Sequence, residues 1–196
     1  YFKYRCVDGI AIICTDPNDK ETLELIESDF PIVVIDMFNK NTSTVTSDNV
    51  QGCSLALNYL YKLGHRKIAH IQGVAQADNW PSSIRKKTYI EVMKKLNLDI
   101  PEGYIVDGVN FDVSGGYDAM KELLSLKDRP TAVFASGDKL AIGAIDAIKD
   151  AGLRVPEDIS VIGFDNIEIA KYVTPKLTTI RQNCQEIGKA AVDILI

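Results

Sequence analysis

Short apolar runs of strand length recur along this chain of 196 residues, and between them lie stretches whose apolar residues fall at helical spacing. Residues 9–14 (GIAIIC), 31–36 (PIVVID), 67–73 (KIAHIQG), 131–136 (TAVFAS) and 159–164 (ISVIGF) would each present apolar side chains on both faces as strands. Such strands need helices above and below them. The pattern therefore predicts the α/β class, with parallel sheets flanked by helices. Residues 49–64 space Val50, Cys53, Leu57, Leu60 and Tyr61 at helical intervals and stop at Gly64. Residues 83–97 gather Ile84, Tyr89, Val92, Met93 and Leu96 on one side, and Ile142, Ile145 and Ile148 face inward before Gly152. Asp19 is a candidate helix cap, YIV at 104–106 is too short to assign, and the polar loop at 38–44 is the nearest approach to a linker.

Composition narrows the function classes. A hydrophobic share of 46% supports one large domain or two small ones, and a net charge of −5 argues against these residues forming a duplex-binding surface. No apolar run approaches the roughly 20 residues of a membrane span, and YFKYRC lacks the apolar stretch of a signal peptide, so the expectation is a cytoplasmic protein with no membrane contact. The chain opens on Tyr1 and reads as a piece of a longer protein. Cys6, Cys14, Cys53 and Cys184 stand far apart without a C-x-x-C pair, which predicts buried free thiols rather than a zinc site or a disulfide. No metal set and no cofactor loop is present, and neither a nucleophile elbow nor H-E-x-x-H occurs; His65 and His70 fall on different faces. Binding is expected, not catalysis.

In an open parallel sheet a ligand lies beyond the carboxyl ends of the strands. Polar residues collect there: Thr15 and Asp16, Asp36, Gln72, Ser136 and Asp138, Asp165 and Asn166, Arg181 and Gln182. Asp138, at the start of a helix, reads first as a cap. Asp165 precedes a long irregular connection, so its carboxylate serves either a ligand or a loop amide, and both readings stand. Arg85 falls in the first turn of its helix, where the dipole disfavours a cation. It is either a solvated arginine beside Lys86 and Lys87 or a planar fork of donors for a ligand. Trp80 and Phe111 offer flat surfaces for stacking, or simply pack.

Several stretches together, among them LGHRKIA, GLRVPEDISVIGFDN and TPKLTTIRQ, resemble the effector-binding region of the LacI/GalR family of bacterial transcription regulators, over nearly the whole of residues 7–196. The resemblance implies a two-lobed periplasmic-binding-protein-like fold, N-terminally truncated, with 1–72 plus 184–196 in one lobe, 73–183 in the other, and a small effector in the cleft. It implies ligand contacts at Asp36, Arg85, Phe111, Asp165 and Gln182, with Thr15 and Asp48 nearby; Trp80 and Asp138 complete the candidates. The effector would be a sugar, or next a nucleoside or purine. Effector binding would shift the cleft between two geometries, and a homodimer would pass that bias to a helix-turn-helix headpiece outside these residues, the only part to touch operator DNA. Two departures stand out: Gly137 replaces the Asn of many sugar-binding relatives, and Thr88 replaces the glycine usual in that helix. The alternative is a periplasmic solute-binding protein of a transporter, which shares the fold.

Overall fold

A computed structural model describes residues 7–13, 20–37, 39–74 and 80–196. Thr15, Asp16 and Asp19, as well as Cys6 and Cys14, lie outside the described residues. The chain divides into two compact units, one formed by 1–48, 76–81 and 183–196 and the other by 49–75 and 82–182.

The first unit contains β1 (Ile10–Ile13), α1 (Lys20–Ile26), β2 (Ile32–Ile35), β3 (Ser43–Val45) and α6 (Cys184–Leu195). Its three strands form a parallel sheet in the order β1-β2-β3. β2 is central and buried throughout. Val34 packs with Ile12 and Ile26 on one face, and Val33 and Ile35 pack with Ala191 of α6 on the other. The end of the polar stretch expected to be a loop thus contributes to β3, whose Thr44 and Val45 suit a strand and which pairs with the buried β2.

The second unit alternates strand and helix: α2 (Asn49–Lys62), β4 (Ile68–Gly73), α3 (Pro81–Lys95), β5 (Ile105–Val109), α4 (Val113–Ser125), β6 (Ala132–Ala135), α5 (Asp138–Asp150), β7 (Ser160–Asp165) and β8 (Thr178–Arg181). Its five strands are all parallel, in the order β5-β4-β6-β7-β8. Alternation along each strand splits the core into two layers. Ala69, Ile71, Val133, Ala135 and Val161 face α4 and α5, whereas Ile68, Phe134, Ile162 and Phe164 face α2 and α3. The close α4–α5 packing depends on glycines: a Cβ on Gly116 would lie 2.1 Å from the Leu140 carbonyl oxygen, and one on Gly143 1.9 Å from that of Val113.

Several expectations need correction. The lobe boundary placed after Gln72 falls instead at Asp48, since α2 and β4 pack within the second unit and β4 pairs there with β5 and β6. Val50 is exposed; the buried stripe of α2 is Asn49, Gly52, Cys53, Ala56, Leu57 and Leu60. Cys53 is buried as expected and its thiol is pushed up to about 12 by burial, but Cys184 is exposed. The unassigned YIV belongs to β5. Gly64 and Gly152 close α2 and α5 with φ of +97° and +74°, as the sequence requires.

His70 lies fully buried between the rings of Tyr89 and Phe134, stacked at 5.1 Å on each. Burial lowers its pKa from 6.5 to about 4. The unfolded chain therefore binds the extra proton across that window, and the stability contributed by neutral His70 is lost as pH falls from 6.5 towards 4. We expect denaturant titrations to show this loss, and His70→Phe to remove that part of the slope; an unchanged slope contradicts the assignment.

Candidate functional site

Arg85 organises the carboxyl end of the five-stranded sheet. α3 begins with Pro81, a residue suited to a first helical position, so Arg85 falls in the second turn rather than the first and largely escapes the dipole penalty. It is not a solvated arginine: it is 4% exposed. Its Nε donates to Oδ1 of Asn49 on α2 at 2.8 Å, and one Nη donates to the Ser136 carbonyl at the end of β6 at 2.5 Å. The guanidinium carbon sits 3.6 Å from the centroid of Phe164 on β7. A Cβ on Gly52 would lie 2.7 Å from the same ring, so α2 holds Phe164 from another side. A buried guanidinium is tolerable only with such partners.

Asp165 ends β7 beside it, its Oδ1 3.6 Å from the guanidinium. Gln182, just after β8, donates its amide to the same oxygen at 2.5 Å. The backbone of Asp165 has φ of +110°, a region that a residue with a Cβ occupies only at a cost. Asn166 follows at +57°. Together these turns direct the chain out of the strand and hold the carboxylate near Arg85.

Phe111 occupies the neighbouring strand ends. Asp112 caps α4, its Oδ1 accepting from the Gly115 amide at 2.7 Å and from the Ser114 hydroxyl, which fixes the residue before it. The ring covers two glycines: a Cβ would lie 2.1 Å from it at Gly73 and 2.4 Å at Gly137. Gly137 is thus a steric requirement for this aromatic, since any side chain there would meet the ring. Phe111 remains 41% exposed, a surface available for stacking.

The remaining candidates separate. Asp138 does not cap its helix, and both of its carboxylate oxygens accept from protein groups. Gly137 is the N-cap residue, while Asp138 is fully buried, with Oδ2 accepting from the Ile167 amide at 2.7 Å and Oδ1 from the Thr179 hydroxyl at 2.5 Å. Burial raises its pKa. It anchors the connection after β7, the structural role first considered for Asp165. Asp36 follows β2 in the first unit with φ of +56°, accepting from Thr46 at 3.3 Å and the Ser47 amide at 3.5 Å. Asp48 is exposed and Trp80 half-buried, both in that unit; Thr15 lies outside the described residues. Arg85, Phe111, Asp165 and Gln182 belong to the other unit.

Sequence reasoning missed Asn49 and Phe164, which hold the guanidinium. The available signal was the stripe Asn49, Gly52, Cys53, Ala56, where one amide shares a helix face with small core residues. Among the described residues no group of His, Cys, Asp and Glu could hold a metal ion, and no helix is long and apolar enough to cross a membrane.

Comparison with known proteins is decisive for the family. The model of the periplasmic binding protein-like domain matches residues 57–196. The ribose operon repressor of Escherichia coli (strain K12) is 40% identical over 194 residues, covering 97% of this chain and 58% of the repressor. The chain belongs to the LacI/GalR family, in its periplasmic-binding-protein-like domain. The HTH-type transcriptional repressor PurR of Klebsiella pneumoniae (strain 342) is 39% identical over 195 residues, covering 97% of this chain and 56% of that protein. A solved LacI family regulator from Enterococcus faecium with bound ribose superposes with a TM-score of 0.82 at 31% identity, over 99% of this chain and 72% of that one. The chain thus spans somewhat more than half the length of the curated relatives it matches.

If Asp138 anchors the loop after β7, Asp138→Ala leaves the buried end of that loop without the acceptor for the Ile167 amide and takes from the Thr179 hydroxyl its nearest acceptor. Chemical denaturation should then show a loss of about 1–3 kcal/mol; a change under about 0.5 kcal/mol contradicts the role.

Proposed function

We propose that this domain binds a small polyhydroxylated effector, a sugar, at the carboxyl end of its five-stranded sheet, and that binding controls operator affinity in a longer regulator. The observation that carries the reading is the pairing of a buried, pinned guanidinium with Asp165 beside an exposed aromatic face at Phe111. Hydroxyls can accept from a guanidinium and donate to a carboxylate, and the apolar face of a sugar ring lies against an aromatic plane. The ribose-bound relative and the ribose operon repressor support this ligand class. A nucleoside or purine is the second class. Asp36, Asp48 and Thr15 are further contacts on the family resemblance alone, and Trp80 on its flat indole.

The effector acts by binding one state of the regulator more tightly than the other, since equal binding shifts nothing. Its action is binding and release in the cytoplasm, without turnover of the ligand. Operator contact belongs to the portion of the longer protein that these residues do not include, in keeping with their net charge of −5. The regulator acts as a homodimer, and the connection after β7 offers an apolar surface for it, with Ile169 51% and Tyr172 70% exposed. In sedimentation, Tyr172→Glu should shift the protein towards monomer; an unchanged dimer removes this face from the interface.

Thermal shift against sugars, sugar phosphates and nucleobases identifies the class, since a ligand of the folded form raises the melting temperature. With D-ribose, Arg85→Ala should cost about 1.5–3 kcal/mol of affinity in calorimetry, the range for hydrogen bonds to a charged group. Unchanged affinity takes Arg85 out of the site.

A further inference from the structure

Two buried polar side chains at this end of the sheet have hydrogen-bonding capacity that no group among the described residues meets. Gln72, the penultimate residue of β4, is 6% exposed, and its Oε1 has no partner. Ser82, the second residue of α3, is 2% exposed, and its hydroxyl has none either. Leaving such groups unmatched is costly, so each calls for a reason.

The two lie on facing elements, at the level of Arg85. Tyr89 of α3 donates to the Ile68 carbonyl at the start of β4 and stacks on His70. From Tyr89 back to Ser82 the helix rises about 10 Å, and from Ile68 up to Gln72 the strand rises about 13 Å. Ser82 and Arg85 are three residues apart and share a helix face, while Gln72 shares a strand face with Ile68 and His70. Ser136 ties the two elements together: its amide donates to the Ile71 carbonyl, its hydroxyl accepts from the Gly73 amide, and its carbonyl accepts from Arg85. Gln72 therefore stands between two residues bound to the residue that also holds the guanidinium.

The chemistry selects the partner. Nδ1 of His70 bonds the Phe134 carbonyl at 2.9 Å, which places the proton there and leaves unpartnered Nε2 an acceptor. Gln72 Oε1, on the same strand face, is a second acceptor. An anionic phosphate or carboxylate can accept from Arg85 and Ser82 but brings only further acceptors to Gln72 Oε1 and His70 Nε2. A hydroxyl both donates and accepts, and so satisfies either end of the Gln72 amide as well as the Ser82 hydroxyl.

We propose that Gln72 and Ser82 are specificity-determining residues of the effector site, reading hydroxyls of a neutral polyol beyond those engaged by Arg85 and Asp165. The proposal rests on the effector reading above and adds to it a preference for neutral polyols over phosphorylated ones.

The test measures D-ribose binding by calorimetry to the full-length protein and to its Gln72→Met and Ser82→Ala variants. Gln72→Met keeps the length of the side chain and removes its polar atoms, so the ligand-free variant should melt no lower than the parent. Ribose should bind it about tenfold more weakly. Among singly deoxygenated riboses, one should bind parent and variant equally, marking the hydroxyl that is read. Parental ribose affinity in both variants, alongside a clear loss in Arg85→Ala, overturns this inference and leaves the effector reading intact. No sugar binding by the parent protein overturns both. Should Gln72→Met fail to fold, Ser82→Ala decides the matter by the same comparison.

Discussion

The candidate site depends on how one buried guanidinium is held. Arg85 leaves water almost completely, at a cost of several kcal/mol that only well-placed partners offset. Those partners come from three separate elements: Asn49 at the start of α2, Ser136 after β6, and Phe164 within β7 with Asp165 at its end. None is local in sequence. The arginine can be in place only when α2, α3 and the two strands are assembled, so its position reports the tertiary fold of this unit. A donor array fixed in this way loses little freedom when a ligand arrives, which is the physical basis of preorganised recognition.

Aromatic and glycine residues complete the arrangement. Phe111 keeps one face available because Gly73 and Gly137 let its other face approach the backbone closely. The glycine at 137 gives the ring its seat. Asp138, next to it, holds the connection after β7. One short segment thus seats the aromatic and anchors the loop that follows Asp165.

Much of this was legible in the sequence. Apolar runs on two-faced strands alternating with helical spacing specified a parallel α/β fold; the strand-end rule pointed to Asp165 and Gln182, while Arg85 was singled out at a helix start and Phe111 as a flat surface, and all four lie in one unit. The errors have physical causes. β3 was hidden at the end of a polar loop because its pairing with β2 is a tertiary gain that local composition does not carry. The unit boundary moved to Asp48 because strand pairing, invisible in a linear reading, joins β4 to β5 and β6. Asp138 and Asp165 have the same side chain at similar places, and only burial separates an anchor from a candidate contact. Gln72 was noted as a polar strand end, but its lack of a partner is a property of the packed structure alone.

The central claim is that Arg85 and Asp165 are held ready for a ligand rather than for each other. A crystal structure of the protein with D-ribose tests it most directly. The account predicts sugar hydroxyls within hydrogen-bonding distance of both the Arg85 guanidinium and the Asp165 carboxylate, with the ring against Phe111. Ribose bound elsewhere, with Arg85 and Asp165 keeping protein partners alone, would contradict it.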